Sequence, residues 1–510
     1  MLIGIDLGTS ACKVIAVDAA GDVVARELRG YPMTNLRQGW AEQDPDDWWA
    51  ATDEAVRALT AGLPRGGREV TGIGLCGQMH GLTALDAAGN PLRRAILWND
   101  QRSAPQCDWI TERAGGLDGL LRMTQNRMLP GFTGGKIVWL RENEPEVYQR
   151  TARILNPKDY LRLLMTGEYL TDVSDASGTG LFHVAAREWS VELLALLGID
   201  RTLLPDVVES GEPTGALRPE LAERWRLPAD VQVYGGGGDA VLQTTAMGLV
   251  DPGPVGFTIG TAGIVAGGTS QCPDNPDGRV QVSCGNAPGR WHIMGVSLAA
   301  GGALQWFRDA LGPADPDEPI RYQRLIELAR DVEPGAQGLR FLPYLLGERS
   351  PHLAPDATAA WLGLTPLHHL GHLTRSVMEG VLLNLREILE VCRQAGVPCD
   401  RVVASGGAAN EPLWLQMLAD VLGRETVTVT GAAEGGAYGA ALVAGVGSGQ
   451  WRDLEESLAA VRVEHTFTPD AGAADAYDTI FSEHRALYPR LRQADLTAPT
   501  PTPPTETNQE

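Results

Sequence analysis

Apolar and polar positions alternate from the first residues, in the pattern of strands and turns. Leu2 to Asp6 reads as a strand, Leu7 to Ser10 as a glycine-containing turn, and Lys13 to Asp18 as a second strand. Asp18-Ala19-Ala20-Gly21 turns the chain into Asp22 to Glu27, which predicts an antiparallel meander. The period then changes. Asp44 is placed as an N-cap, Pro45 fills the first helical position, and Trp49, Val56, Leu59 and Leu63 mark one stripe of a helix. Glu69 to Cys76 returns to strand and runs into Gly77-Gln78-Met79-His80-Gly81, with further strands at Leu82 to Leu85 and Ala95 to Trp98. Residues 103 to 225 read as mainly helical. The strand Val231 to Tyr234 then delivers four glycines, Gly235 to Gly238, read either as a flexible turn or as a loop whose bare backbone another molecule can approach closely, before Asp239 and an apolar helical run to Gly248.

Asp251-Pro252-Gly253-Pro254 is the strongest punctuation in the chain and divides it into residues 1–250 and 251–490. The second half opens with an echo of the first: Val255 to Ala262 aligns with Ile3 to Ser10, with both glycines and the threonine identical. A helix is expected from Met378 to Ala395, then a strand from Arg401 to Ala404, the break Ser405-Gly406-Gly407-Ala408, and a helix from Pro412. Residues 491–510 end in a Pro/Thr-rich tail with no apolar periodicity and are expected to be disordered.

At 510 residues the chain exceeds what one core supports, and 44% hydrophobic residues suffice for two. A formal charge of −22 argues against nucleic acid or an anionic membrane as partner, although local backbone N–H groups and a divalent metal still allow a nucleotide to bind. There is no signal pattern and no membrane-length apolar run, and the seven cysteines are scattered without a C-x-x-C pair. A cytoplasmic protein with reduced thiols is expected.

Two motif matches fail on inspection. Around Gly134-Gly135-Lys136, Pro130 replaces the first glycine of a P-loop and Ile137 its Ser/Thr. Gly72-x-Gly74-x-x-Gly77 lies inside a strand with no helix behind it, so it is not a dinucleotide fingerprint. Three stretches carry joint weight instead: Asp6-Leu7-Gly8-Thr9-Ser10, Gly235 to Asp239, and Gly260-Thr261-Ala262-Gly263. They supply a carboxylate at a strand end, two hydroxyl-and-amide clasps and an isolated acid, which is the inventory ATP-dependent phosphoryl transfer needs. Each has a plainer reading alone. Asp239 is equally an N-cap, Asp6 a strand-end cap, His80 a structural histidine, and the pair Trp48-Trp49 helix packing. Asp172 and Asp175 could suggest the paired acids of glycoside hydrolysis, but they sit in a turn-rich segment without a second pair.

Ordered strings along almost the whole chain resemble the FGGY carbohydrate kinases: IGIDLGTS, GWAEQDPDDWW, GQMHG, AILWNDQRS, PKDYLRLLMTGE, SDASGT, GGGGDA, FLPYLLGERSPH and SGGAAN. The resemblance implies an α/β, two-domain actin-like ATPase (ribonuclease H-like) fold, with a mixed five-stranded sheet in each domain and a cleft between them. It implies phosphorylation of a sugar by ATP with Mg2+, the sugar and first phosphate loop in the first domain and the nucleotide in the second. Asp239 matches the family's catalytic base, and Asp6 the acid near the magnesium, acting through metal-bound water. Gly8, Thr9 and Ser10 match the first phosphate loop, Gly260 and Thr261 the second, Gly301 and Gln305 a nucleotide segment, and Gly407 and Asn410 the adenine-side loop. Met79 and His80 match the sugar-binding pair of the pentulose branch, with Trp98, Asn99 and Asp100 completing that wall. The implied reaction turns D-xylulose into D-xylulose 5-phosphate. Another ketopentose or a polyol is the alternative acceptor, and a non-catalytic sugar sensor the alternative of a different class. A homodimer is compatible with the resemblance. Two departures stand out: Ala240 where an asparagine often follows the base, and Ala262 where a serine is usual. The base is expected to keep an ordinary low pKa, depressed further by its helix N-terminus.

Overall fold

The computed structural model describes residues 1–275, 277–311 and 321–494. The first of two mixed sheets uses β1 (Leu2–Leu7), β2 (Ala11–Val17), β3 (Val23–Gly30), β4 (Gly72–Gly77), β5 (Pro213–Ala216) and β6 (Gln232–Gly238), in the order β5-β6-β4-β1-β2-β3. β1 lies antiparallel to β2 and parallel to β4, which is parallel to β6. Helix α1 (Pro45–Gly62) starts at the expected cap, the Asp44 carboxylate accepting from the Asp46 N–H at 3.1 Å. Its buried stripe runs through Trp48, Thr52, Val56 and Leu59. Trp48 rather than Trp49 therefore faces the core, in one buried cluster with Ile3, Ile73 and Val233 of the sheet.

Residues 103–225 are less uniformly helical than expected. Helices including α2 (Pro157–Thr166) and α3 (Val173–Ser177) are interrupted by short strands such as Arg153–Leu155, Leu170–Asp172 and Asp206–Val208. The glycine run also departs from its expected form. Gly235 to Gly238 continue β6 instead of turning, with an irregularity between Tyr234 and Gly237. Gly236 sits at φ +66°, and a Cβ there would lie 1.8 Å from the Leu75 carbonyl oxygen of β4. Helix α4 (Asp239–Ala246) begins with no intervening loop, so Gly238 is the N-cap and Asp239 the first helical residue.

The second sheet uses β7 (Pro254–Ile259), β8 (Gly263–Thr269), β9 (Gln281–Cys284), β10 (Trp291–Ser297), β11 (Arg401–Ser405), β12 (Thr426–Val429) and β13 (Val463–Phe467), in the order β9-β10-β8-β7-β11-β12-β13. β7 is antiparallel to β8 and parallel to β11, as β1 is to β2 and β4. The echo in the sequence thus marks equivalent strands. Each sheet holds the expected five-stranded core and adds edge strands, giving six and seven. Helix α5 (Gly301–Ala310) leaves the β7–β8 side of this sheet. Helix α6 (Leu370–Gln394) begins eight residues before the expected Met378, capped by His369, and buries most of its length.

Helices α4 and α7 (Gly436–Gly447) cross between the sheets. α4 leaves the first sheet but reaches the second, where Thr244 Oγ1 lies 2.9 Å from His292 Nε2 on β10. α7 leaves the second sheet but packs on the first, so tightly that a Cβ on Gly74 of β4 would lie 2.0 Å from the Ala440 carbonyl oxygen. At the C-terminus a helix spans Leu487–Gln493 and so runs three residues into the stretch expected to be disordered from 491; residues 495–510 lie outside the described residues. Among the described residues no helix is long and apolar enough to cross a membrane.

Candidate active site

Strand pairing brings the two candidate acids together. β4 lies between β1 and β6, with Asp6 opposite Cys76 on one side and Gly238 opposite Gly77 on the other. The backbones of Asp6 and Asp239 are therefore about two strand spacings apart, roughly 10 Å. Among the described residues Asp239 accepts one hydrogen bond, at Oδ1 from the Ala240 N–H at 2.8 Å. Burial, and then the negative charge of Asp6, push its pKa up to about 7 against the Ala240 hydrogen bond. This reverses the expected depression, because loss of hydration outweighs the dipole of a two-turn helix.

Asp6 is also raised by burial, opposed by the Cys76 thiol and the Lys13 ammonium. Its Oδ1 is buried with no hydrogen-bond partner, an orphan acceptor that suits a cation or its hydrating water. No group of three or more metal-ligating side chains occurs among the described residues, so an ion here would draw on phosphate oxygens and water.

On one side of the acids lies a wide, open cleft whose walls come from both sheets: Asp6 and Lys13, Gly407 and Asn410, and the loop Gly431 to Gly436. Gly407 faces open space, and Asn410 Nδ2 donates to its carbonyl at 3.3 Å. The loop before α7 was not identified in the sequence. Its signal was present, since Gly435-Gly436 precede an apolar helix as Gly237-Gly238 do, and a Cβ on Gly436 would lie 3.2 Å from Asp6 Oδ2. Lys13, also missed, donates to the Ala433 carbonyl at 3.2 Å and pairs with Glu434 at 3.7 Å.

On the other side a narrow cavity is lined by Met79, His80, Phe132, Gly178, Ala240 and His292, among others. A Cβ on Gly238 would lie 2.6 Å from Met79 Sδ, so the thioether rests directly against the residue before Asp239. His80 has φ 69°, stacks on Phe132 at 4.6 Å, and places Nδ1 2.5 Å from the Gly178 carbonyl. That oxygen only accepts, so Nδ1 carries the hydrogen and Nε2 is left as an acceptor. Burial lowers its pKa to about 3, which keeps the ring neutral. Lys136 Nζ fixes the same turn by donating to the His80 carbonyl at 2.8 Å.

The remaining candidates divide. Trp98 Nε1 donates to Thr9 Oγ1 at 2.9 Å, which ties the supposed sugar wall to the first phosphate loop. Gly8 N–H donates to the Ala11 carbonyl at 3.1 Å, the Thr9 carbonyl accepts from Gln43 at 2.6 Å, and Ser10 is exposed. Asn99 points its amide nitrogen at Met33 Sδ, 3.7 Å away. Asp100 is fully buried and committed: its oxygens accept from Arg102 at 2.9 and 2.8 Å and from the Ala41 N–H at 2.7 Å. It braces the wall from behind and has no acceptor free for a sugar. In the second loop the Gly260 carbonyl accepts from Gly301 N–H at 2.8 Å and the Thr261 carbonyl from Gly302 N–H at 3.1 Å. Gly301 thus docks α5 on the loop, and Gln305 is exposed farther along that helix.

Comparison with known proteins places the chain in a family. Residues 1–248 match the FGGY family of carbohydrate kinases, N-terminal domain, and residues 256–448 its C-terminal domain. The chain belongs to the FGGY family of carbohydrate kinases. This FGGY kinase is 37% identical over 488 residues to the xylulose kinase of Bacillus subtilis (strain 168), covering 96% of each chain. It is 28% identical to the gluconokinase of the same organism over 94% of each. The crystal structure of xylulose kinase from Rhodospirillum rubrum matches with a TM-score of 0.89 and 30% identity, over 96% of this chain and 99% of that one. The fold is that of the actin-like sugar kinases, and the FGGY kinase is a phosphotransferase that uses ATP and a sugar.

Proposed function

We propose that this kinase transfers the γ-phosphoryl group of ATP to D-xylulose, with Asp239 as general base. The observation that carries the reading is the place of Asp239: its neighbour Ala240 lines the Met79-His80 cavity, while Asp6, whose charge it feels, lines the large cleft. The sugar hydroxyl oxygen bonds to γ-phosphorus, the bond from γ-phosphorus to the β,γ-bridging oxygen breaks, and the hydroxyl proton passes to the Asp239 carboxylate. The products are D-xylulose 5-phosphate and ADP. His80 Nε2 accepts from a sugar hydroxyl, and Met79 gives an apolar face. Residues 1–250 hold the sugar and the first phosphate loop, and residues 251–490 the rest of the nucleotide. Asp6 would hold Mg2+ through water; when bound, the ion supplies charge neutralisation at the phosphates.

In a coupled ADP-release assay, Asp239→Ala is expected to lose roughly 10² or more in kcat while ATP binding stays within a few-fold. Near-normal turnover removes the base assignment. One observation favours a second acceptor class, a sugar acid. Arg349 lines a cavity with Phe132, burial lowers its pKa to about 10, and its guanidinium has no ion-pair partner among the described residues. Rates on D-xylulose, D-ribulose, polyols and gluconate decide between the classes.

A further inference from the structure

Helix α2 and the turn into α3 place two cations and three carboxyl groups where water does not reach. Lys158, Asp159, Arg162, Asp172 and Asp175 all have zero exposure. Lys158 Nζ is the hub, 2.5 Å from Asp159 Oδ1, 3.0 Å from Asp172 Oδ1 and 3.4 Å from Asp175 Oδ2. Arg162 pairs with Asp159 at 3.2 Å and donates to the Gly235 carbonyl of β6 at 2.6 Å. Burial, helped by the Asp159 and Asp172 charges and opposed by Lys158, pushes Asp175 well above the usual carboxylate range. With Asp175 holding a proton, two cations face two carboxylates. Such a cluster is a poor source of stability, since buried ion pairs often break even with apolar packing. Its connections point to another role.

One arm ends beside the base. Asp172 Oδ2 accepts from the Ser174 hydroxyl at 2.5 Å, and Ser174 Oγ accepts from the Gly238 N–H at 3.0 Å. The other arm ends on the sugar-facing turn. Asp175 Oδ1 accepts from Asn156 Nδ2 at 2.6 Å, and Asn156 Oδ1 and the His80 carbonyl, 3.4 and 3.1 Å from Thr133 Oγ1, compete for its single hydroxyl hydrogen. A chain of mostly buried polar contacts, each 3.4 Å or less, therefore links the backbone before Asp239 to the backbone of His80, with the Thr133 hydroxyl shared at its last step.

We propose that this path is the gauge of the active site: Ser174 and Asn156 are positioning residues that hold the base and the sugar-binding pair at a set separation. The inference rests on the reading of Asp239 as base and His80 as sugar ligand. Misplacing a reacting group by about 1 Å costs on the order of 10²-fold in rate, so a fixed separation matters more here than cluster stability.

The test is a double-mutant cycle. Ser174→Ala is expected to lower kcat by roughly 10-fold or more, with KM for MgATP within about twofold. In an Asp239→Asn background the same change is expected to cost little, because no base remains to be placed. An equal loss in both backgrounds, or unchanged kcat in folded Ser174→Ala, overturns the proposal. If Asp239→Asn itself keeps full turnover, the base assignment fails instead. Should Ser174→Ala not fold, Asn156→Ala tests the other arm: KM for the sugar rises several-fold with KM for MgATP kept, and an unchanged sugar KM overturns the proposal.

Discussion

At the scale of the residue, the proposed base makes the protonation state of Asp239 the quantity to test. A base must be unprotonated to accept, and its pKa is near 7, so the rate falls as pH drops through that value. At limiting MgATP, where free enzyme dominates, kcat/KM for the sugar is expected to show an acid limb near pH 7. A flat profile down to about pH 5 contradicts it. The same shift acts on stability with a definite sign. The folded pKa lies above the ordinary value of 3.8, so the native state binds more protons between the two, and stability falls as pH rises from about 4 to 7. Asp239→Asn, which cannot ionise, is therefore expected to melt higher than the wild type at about pH 8, with the gap narrowing by about pH 5. Equal melting temperatures across that range would show that the carboxylate is not desolvated. The identity of the acid was legible in its motif. Its pKa was not, because it depends on burial and on Asp6 two strands away, a proximity created by sheet pairing.

At the scale of the element, the glycines are the informative residues, though not for the reason the sequence suggested. Gly235 to Gly238 read as a turn or an open loop, whereas they are strand, and Gly238 leaves room for the Met79 thioether beside Asp239. Small side chains mark close approach of another backbone or side chain, and one sequence does not distinguish that from a turn. The same logic applies where α7 crosses the first sheet. Gly74→Ala puts a methyl 2.0 Å from the Ala440 carbonyl, backbone that cannot rotate away. The expected destabilisation is about 1–3 kcal/mol or more, the cost of overpacking. ATP affinity should fall with it, because the N-terminus of α7 lines the cleft beside Asp6. Chemical denaturation and nucleotide titration check the two effects; a neutral variant would mean that α7 can lift from the sheet.

At the scale of the whole molecule, the internal echo located β1 and β7 as equivalent strands, and with them the duplicated sheet. It did not locate the crossing of α4 and α7, since a helix carries no sequence mark of which sheet it will cover. The crossing decides how the cleft can close. The walls of the large cleft come from both sheets, so a closure that narrowed it would move one sheet against the other. Yet α4 is bound to the second sheet through Thr244 and His292, α7 lies against the first at Gly74, and the two helices touch: a Cβ on Gly439 would lie 2.1 Å from the Leu242 carbonyl. Sliding along the pair would break these contacts, so we infer that the sheets pivot about it. Hydrogen exchange with D-xylulose and a non-hydrolysable ATP analogue is expected to add protection at residues 8–10 and 407–410, while the middle of α7 stays as protected as in the free protein. Small-angle scattering should show a smaller radius of gyration in the same complex. Protection changes centred on α7 would instead mean that the helices slide, and no change in radius would mean that the sugar and nucleotide sites meet without closure.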